Sequence, residues 1–270
     1  MGGCPQDPKE VAMISTKSER EIELMRSAGE IVAKAHEAIA QSLHPGMTTK
    51  DIDTIVERVI KENGATPSFK GYNGFPAATC TSINATLVHG IPDSTALKDG
   101  DIISVDIGAC FKGYHGDSAW TYTIGKVSPE TLHLMEVTKQ SLFEGLKKVK
   151  PGNRLSDISN AIGEYVYSFG YTVPYEYTGH GIGAHLHEDP SIPNYGEAGK
   201  GVLLKKGMCL AIEPMVHMGK PFTKVLSDDW TVVTRDGSLA AHYEHTVVIT
   251  DDGYEILTAL RSKEDHSQNG

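Results

Sequence analysis

Apolar residues recur every three or four positions in four segments of the chain, which is the spacing of amphipathic helices. In the first segment, Ser18 and Glu21 form a capping-box pattern ahead of the apolar stripe. The other segments have start signals at Thr48 with Asp51, at Ser128 with Pro129, and near Leu155. The pattern therefore predicts four helices arranged in two pairs.

Continuous or alternating apolar runs between the helix pairs predict β-strands. We expect these strands near residues 79–84, 102–110, 114–123, 171–178, 208–216, 230–234 and 242–250. Asp236-Gly237 and Asp252-Gly253 predict hairpin turns. Because the strands mostly follow one another between helix pairs, we expect an α+β fold with a mixed or antiparallel sheet.

Two pairs of segments match across the chain, residues 45–64 with 151–170 and residues 97–108 with 204–215. In the second pair, Asp106 aligns with Glu213. The spacing of the matches varies and their period is far too long for a solenoid, so we interpret them as a duplicated unit with insertions. The sequence therefore predicts two similar α/β halves that face each other across one site.

The length of 270 residues and the apolar fraction of 39% suit either a single domain or two fused halves around one core. We expect this single catalytic domain to cover residues 14–260, with pseudo-repeat halves of roughly 14–125 and 126–260. Residues 1–13 and 261–270 are expected to be flexible termini.

The formal net charge of −10 argues against nucleic acids and anionic membranes as partners, because both attract basic surfaces. The four cysteines are widely spaced without a C-x-x-C pattern, so we expect neither a zinc finger nor a disulfide framework. No apolar run reaches the ~18 residues of a membrane span, and the N-terminus lacks a secretory signal pattern. We therefore expect a cytoplasmic protein with reduced thiols.

Asp106 lies within the apolar run IISVDIG, which predicts a buried strand. A buried carboxylate without a partner is costly, so a nearby cation is expected to neutralise it. Asp117 follows after a turn signal, and the two segments together predict a hairpin that brings the carboxylates close. Two carboxylates at that distance repel each other unless they share a divalent metal ion.

The second half of the chain supplies further metal ligands. His180 lies in the glycine-rich run GHGIGAHLHE, and Glu213 and Glu244 are the acidic residues expected on neighbouring strands. Four carboxylates and one imidazole form a hard ligand set that suits Mn²⁺ or Fe²⁺, with Co²⁺ or Zn²⁺ as competent replacements. Two such ions can activate water for hydrolysis.

Taken one at a time, these residues have ordinary structural explanations. A buried aspartate is commonly half of a structural ion pair, and the aromatic residues near the site would ordinarily be core residues. We expect six other histidines to be hydrogen-bonded structural residues, namely His36, His44, His133, His217, His242 and His266. Five ligands at repeat-related positions favour a metal site over these alternatives.

Six motifs occur in order along the chain: VHGIP (88–92), VDIG (105–108), HGD (115–117), GHGIG (179–183), IEP (212–214) and YEHT (243–246). They resemble the motifs of type I methionine aminopeptidases, which belong to peptidase family M24. The resemblance covers roughly residues 14–258. It implies the pita-bread fold of creatinases and aminopeptidases, with two pseudo-symmetric halves, a central antiparallel or mixed sheet and helices on its outer face.

The resemblance also implies two divalent metal ions, which would be Mn, Fe, Co or Zn. Asp106 would chelate one ion, and Asp117 and Glu244 would bridge the two. His180 and Glu213 would complete the second ion's ligands. A monovalent cation, Na⁺ or K⁺, is implied on backbone carbonyl groups at Asn84, Thr86 and Ala240.

Catalytic and substrate-binding roles follow from the same resemblance. Glu213 would be the general base, His89 would contact the substrate near the scissile amide, and His187 would stabilise the oxyanion. The methionine pocket would be lined by Phe69, Tyr72, Phe75, Cys80, Leu186 and Trp230. Phe69 stands where some relatives have Cys, and Leu186 stands where some have Phe, so inhibitor selectivity does not carry over.

The implied function is metal-dependent removal of the initiator methionine from nascent proteins whose second residue is small. The implied partners are nascent polypeptides and the ribosome, and we expect a monomer. A prolidase- or creatinase-like hydrolase is a second hypothesis, although such relatives carry an extra N-terminal domain. A non-catalytic binding protein of the same fold is a third, although such proteins lose ligands that are all present here.

Overall fold

The computed structural model describes residues 14–260, so the predicted flexible termini lie outside the described residues. Its four α-helices are α1 (Glu19–Ser42), α2 (Thr49–Glu62), α3 (Pro129–Leu146) and α4 (Leu155–Ser168). Capping boxes at Ser18 and Thr48 start α1 and α2, because they satisfy N–H groups that have no partner within a helix. All four predicted helices are therefore confirmed.

Fourteen strands lie within the described residues, and all their pairings are antiparallel. They are β1 (Thr66–Pro67), β2 (Thr79–Ile83), β3 (Thr86–Val88), β4 (Ile102–Phe111), β5 (Tyr114–Thr123), β6 (Gly179–Gly181), β7 (Glu188–Ile192), β8 (Cys209–Ile212), β9 (Met215–His217), β10 (Thr223–Val225), β11 (Val232–Thr234), β12 (Ala240–His242), β13 (His245–Ile249) and β14 (Tyr254–Ile256). A short 3-10 helix covers Tyr72–Gly74.

Two larger sheets form the centre of the fold. In the first, β4 pairs with β1, β2 and β5, and in the second the order is β14-β13-β8-β6-β7. Two small sheets, β10-β11-β3 and β12-β9, complete the β-structure of the described residues. The α+β class with an antiparallel sheet is confirmed.

The first sheet has one face on helices and one face on the site. Ile103, Val105 and Ile107 of β4 pack in one core cluster with apolar residues of α1 and α2. Because successive strand residues point to opposite faces, Ser104 and Asp106 point away from those helices. The alternation within one strand therefore separates the core from the site.

The second sheet packs on α3 and α4 in the same manner. Leu134 and Leu142 of α3, Ile162 of α4, and Leu210 and Val247 of the sheet belong to one buried cluster. Helices thus cover the outer face of each sheet, as the pita-bread resemblance predicted.

Hydrogen bonds join the two sheets beside the site. The N–H of Asp117 donates to Thr246 Oγ1 at 3.0 Å, and Thr246 Oγ1 donates to the Asp117 carbonyl at 2.8 Å. Ser118 Oγ donates to the Glu244 carbonyl at 2.7 Å. The backbone of β5 is therefore fixed against the start of β13.

Two predictions about β-structure are wrong. Residues 171–178 form no strand, and only Thr172 pairs there, as an isolated bridge to His217. Pro174 interrupts that segment, since proline has no N–H to donate. Asp236-Gly237 is a turn between strands of different sheets and not a hairpin, because β11 pairs with β10 and β3 while β12 pairs with β9.

Three further observations concern the second turn, the helices and the cysteines. The Asp252-Gly253 hairpin is confirmed, since it joins the paired strands β13 and β14. No helix within residues 14–260 is both long enough and apolar enough to cross a bilayer. Cys80, Cys110 and Cys209 are free thiols.

Candidate metal centre

One cavity of about 250 Å³ opens between the two sheets. The thirteen side chains predicted for the site all line it, namely Phe69, Tyr72, Phe75, Cys80, His89, Asp106, Asp117, His180, Leu186, His187, Glu213, Trp230 and Glu244. Asn73, which the sequence did not single out, also lines the cavity. The structure therefore brings together every residue of the predicted site.

The β4–β5 hairpin places the first two carboxylates. Asp106 lies opposite Ala119, and Asp117 lies opposite Gly108, so the two aspartates are diagonal neighbours on one face. Asp106 Oδ1 and Asp117 Oδ1 are buried and have no hydrogen-bond partner. Buried polar atoms are normally satisfied, so these two oxygens point to a ligand.

Breaks in two strands place the other two carboxylates. The predicted strand 208–216 is interrupted at Glu213, between β8 and β9, and the predicted strand 242–250 is interrupted at Glu244, between β12 and β13. The Tyr243 N–H donates to the Pro214 carbonyl at 3.3 Å, so the two breaks lie side by side. An interrupted ladder lets each glutamate side chain leave the regular alternation and reach the cavity.

His180 is oriented as a metal ligand would be. Its Nδ1 lies 2.8 Å from the Gly181 carbonyl oxygen, which can only accept, so Nδ1 carries the proton. The lone pair of Nε2 then faces Glu213 Oε1 at 3.6 Å and Asp117 Oδ2 at 4.0 Å. Burial, together with His187, lowers the pKa of His180 to about 3, so the ring is neutral and able to bind a cation.

The four carboxylates strongly perturb one another. Burial and the charge of Glu213 raise the pKa of Asp106 to about 7. Burial and the charge of neighbouring carboxylates raise the pKa of Asp117 and of Glu244 well above the usual range, and burial raises that of Glu213. Crowded carboxylates favour a cation that would neutralise them, as the sequence predicted.

The donor set fits divalent metal ions. Within the described residues, two groups can each converge on one ion, namely Asp117, His180 and Glu244, and then Glu213, His242 and Glu244. Their atoms are carboxylate oxygens and imidazole nitrogens, which are the ligands of Mn²⁺, Fe²⁺, Co²⁺ and Zn²⁺ and not those of a thiolate site. The shared Glu244 suits a residue between two ions.

His89 and His187 line the cavity beside the carboxylates, but they belong to neither group of candidate metal ligands. His187 lies at the cavity rim, where its Nδ1 is 2.8 Å from the Tyr72 hydroxyl and its ring centroid is 4.3 Å from that of His180. His89 has a left-handed backbone, with φ of 59°, and packs edge-on against Trp230. Burial lowers the pKa of His89 to about 4 and lowers that of His187, so both rings are neutral at pH 7.

The opposite end of the cavity is apolar. Phe69, Phe75, Cys80 and Leu186 are buried in one cluster, with Trp230 packed against it. The rings of Phe75 and Trp230 meet edge-on at 5.0 Å. Burial and the nearby Asp106 raise the pKa of Cys80 well above its usual value, so its thiol is neutral and acts as apolar wall.

The prediction that His242 is a hydrogen-bonded structural residue is wrong. Its Nε2 is buried without a hydrogen-bond partner and lies 3.4 Å from Glu213 Oε2 and 3.8 Å from Glu244 Oε2. His242 stands two positions before Glu244, so strand alternation was a signal that could have placed both on one side. Tyr177, which packs edge-on against His89, was missed as well, and no signal in the sequence indicated it.

The structural prediction holds for four other histidines, whose Nδ1 atoms have hydrogen-bond partners. His36 contacts the Tyr122 hydroxyl, His133 the Tyr171 hydroxyl, His44 the Pro45 carbonyl and His217 the Lys220 carbonyl. His266 lies outside the described residues.

Asn84 and Ala240 are in contact, since the Ala240 N–H donates to the Asn84 carbonyl at 2.9 Å, but the monovalent cation stays a prediction.

A cluster of carboxylates and a histidine beside an apolar pocket is the arrangement of a metal-dependent hydrolase. The sequence matches Metallopeptidase family M24 over residues 23–251. The chain belongs to this family and has the pita-bread fold, so it is a hydrolase that uses divalent metal ions.

Of the three relatives described next, the two methionine aminopeptidases are more similar to this chain than the prolidase is. Methionine aminopeptidase 1 of Bacillus subtilis is 57% identical over 92% of this chain and 100% of its own length. The crystal structure of methionine aminopeptidase from Thermotoga maritima has a TM-score of 0.90 and 48% identity, over 92% of this chain and 100% of that one. Prolidase from Pyrococcus furiosus has a TM-score of 0.74 and 26% identity, over 92% of this chain and 66% of that one.

Proposed function

We propose that this protein is a methionine aminopeptidase that removes N-terminal methionine from polypeptides whose second residue is small. The observation that carries the proposal is the 57% identity to a methionine aminopeptidase over 92% of the chain. The cavity supports it, because an apolar end and a carboxylate end meet in one cavity. An exopeptidase needs such a pairing, since it must bind both a side chain and a free amine.

Five side chains would hold the two divalent ions, namely Asp106, Asp117, His180, Glu213 and Glu244. When bound, the ions supply Lewis acidity and lower the pKa of water. The fit rests on the unpartnered buried oxygens of Asp106, Asp117 and Glu244 and on the free Nε2 lone pair of His180. Mn²⁺, Fe²⁺, Co²⁺ and Zn²⁺ all suit this donor set, and Na⁺ or K⁺ near Asn84, Thr86 and Ala240 is part of the proposal.

Glu213 acts as general base in the proposed reaction. It accepts a proton from the attacking water and passes it to the leaving amine. Burial raises the pKa of its carboxyl group, and the positive charge of bound metal ions would oppose that rise. Its backbone is held by Asn194, whose Nδ2 donates to the Glu213 carbonyl at 2.9 Å.

His187 and His89 stabilise the reacting amide. If the Tyr72 hydroxyl donates to Nδ1 of His187, the proton of that ring lies on Nε2, which can donate to the developing oxyanion. His89 lines the same cavity as His187 and packs edge-on against Trp230, so it can also contact the amide. Both rings are neutral, which suits hydrogen-bond donors that must not compete with the metal ions for carboxylates.

Substrate selection follows from the shape of the cavity. An unbranched thioether fits the apolar end, where it meets the rings of Phe75 and Trp230. The crowding of His89 and His187 beyond the scissile bond favours small second residues. Nascent polypeptides are the natural substrates under this proposal. A ribosomal contact, a monomeric state and a cytoplasmic location belong to the same proposal.

The test is a comparison of peptide classes with and without a chelator. Met-Ala-Ser should be cleaved and should lose cleavage with EDTA, and added Mn²⁺ or Co²⁺ should restore it. Ala-Pro and other Xaa-Pro dipeptides should be poor substrates, because the prolidase relative shares only 26% identity. Preferential cleavage of Xaa-Pro would support the prolidase hypothesis, and no metal-dependent cleavage at all would support a binding protein.

A further inference from the structure

The loop that follows β6 carries two residues of the proposed site. Residues 183–187, here called the site loop, include Leu186 in the apolar wall and His187 at the rim. The site loop forms no strand. One backbone hydrogen bond lies within the loop, from the Gly183 N–H to the His185 carbonyl at 3.0 Å. A second connects the loop to β5, from the His115 N–H to the Gly183 carbonyl at 2.9 Å. The conformation of the site loop must therefore be set mainly by the side chains that pack against it.

Lys17 lies directly beneath the site loop, although it precedes α1 in the chain. A Cβ atom at Gly183 would lie 2.2 Å from Lys17 Cε, so the loop backbone rests on the lysine methylene groups. The Lys17 N–H donates to the Gly207 carbonyl at 2.7 Å, which fixes the base of the lysine. The lysine side chain is only 5% exposed.

Glu188 joins Lys17 to the end of the site loop. The ammonium of Lys17 lies 2.6 Å from Glu188 Oε2, and Ser15 Oγ donates to the same oxygen at 3.1 Å. The other oxygen, Oε1, accepts the His185 N–H at 3.1 Å. Burial opposes the charged carboxylate, but the hydrogen bonds from Lys17 and His185 lower the pKa of Glu188 below its usual value, so this carboxylate is charged at neutral pH.

We propose that Lys17 is a positioning residue that holds the site loop through Glu188, so that Leu186 closes the methionine pocket and His187 reaches the scissile amide. The predicted effects on kcat and KM rest on the proposed aminopeptidase function, whereas the role of Lys17 in holding the loop does not. A largely buried ion pair adds little net stability compared with apolar replacements, so a geometric role explains it better than a stabilising one. Neither Lys17 nor Glu188 belongs to the groups of side chains that can hold a metal ion.

The experiment compares Lys17→Met, Glu188→Gln and the double variant with Lys206→Met. Lys206 and Asp251 form an ion pair of the same chemistry at 2.7 Å, but they are 53% and 80% exposed and do not touch the site loop, so Lys206→Met is the control. The measurements are kcat and KM for Met-Ala-Ser and Leu-Ala-Ser, Mn²⁺ stoichiometry by calorimetry, and hydrogen exchange of the loop amides.

Lys17→Met and Glu188→Gln should each lower kcat for Met-Ala-Ser by roughly 10- to 100-fold, because small displacements of reacting groups are costly. The ratio of kcat/KM for methionine over leucine should shrink, since Leu186 moves. The double variant should resemble either single variant, because both remove one interaction. Mn²⁺ stoichiometry should be unchanged, and the loop amides should exchange faster than in Lys206→Met.

Unchanged loop exchange in the folded variants, or equal losses on methionine and leucine peptides, would overturn the proposal. If Lys17→Met does not fold, Glu188→Gln has nearly the same shape as the natural residue and gives the decisive result. If the natural protein does not cleave Met-Ala-Ser, the proposed function has failed, and hydrogen exchange in the same variants still decides whether Lys17 holds the loop.

Discussion

Asp106 and Asp117 show how much of the chemistry single residues reveal. Their type and spacing predicted a pair of carboxylates on one face of a hairpin, and the diagonal register of β4 and β5 confirms that arrangement. His242 could not be placed in the same way, because its role depends on contacts across two strand breaks. A residue is predictable where local periodicity decides its direction and is missed where irregular backbone does.

Replacing Asp106 with Asn keeps the volume of the side chain and removes its charge. We expect activity to be abolished and metal occupancy to fall, because a neutral amide cannot balance a divalent cation. Calorimetric titration with Mn²⁺ and the rate on Met-Ala-Ser measure both effects. Near-normal turnover with two ions bound would contradict the assignment of Asp106 as a ligand.

The Glu213→Gln variant tests the general base. With Mn²⁺ added until both sites are filled, we expect kcat to fall by roughly 10²–10⁴-fold while KM changes little, because a base acts in the transition state and not in substrate binding. Steady-state kinetics on Met-Ala-Ser give both constants. A variant that lost only substrate affinity would assign the proton transfer to another group.

His242 should support the two glutamates that it faces. Burial lowers its pKa to about 4, so the ring is neutral. Its Nε2 lies 3.4 Å from Glu213 Oε2 without a hydrogen bond, and a small shift of either side chain would let Nε2 donate to that oxygen. His242→Ala should reduce kcat by about tenfold, the effect of losing one hydrogen bond to a charged group. His242→Gln should recover most of that loss, since its amide can donate to the same oxygen. Equal activity of His242→Ala and the natural protein would remove this role.

The four helices and the long β4–β5 hairpin were predicted from the sequence, whereas several of the shortest strands were not. The four helices have caps and apolar stripes of their own, and β4 and β5 are ten residues each. By contrast, β1 and β3 have three residues or fewer and pair with strands far along the chain. Elements stabilised by local sequence are therefore predictable, and elements stabilised by distant pairing are not.

The contact between α1 and β5 depends on two glycines. A Cβ atom at Gly116 would lie 2.7 Å from the Gly29 backbone nitrogen, so the helix and the strand approach closely there. Gly116→Ala should lower the free energy of unfolding by roughly 1–3 kcal/mol through overpacking. Gly253→Ala is the control, since no atom lies within 4 Å of its added Cβ, and it should change stability little. Urea unfolding measures both, and equal stabilities would contradict close packing as the cause.

On the scale of the whole molecule, the two larger antiparallel sheets of residues 14–260 are each covered by helices and meet at the carboxylate cluster. We propose that residues 14–125 and 126–260 are the duplicated halves predicted from the matched segments. The placement of Asp106 and Asp117 in the first sheet, and of Glu213 and Glu244 at strand breaks of the second part, supports this proposal. The sequence identified the matching segments, but it could not show how the halves pair, because the joining hydrogen bonds connect residues more than a hundred positions apart.

The central claim is that one cavity binds a methionine side chain at its apolar end and a free amine at its carboxylate end. The most direct test is kcat/KM for Met-Ala-Ser, Leu-Ala-Ser and acetyl-Met-Ala-Ser peptides with the Mn²⁺-loaded protein. Methionine should exceed leucine by about 1–3 kcal/mol of transition-state discrimination, roughly 5- to 150-fold, and the acetylated peptide should not be cleaved. Equal rates on methionine and leucine, or cleavage of the acetylated peptide, would contradict the claim.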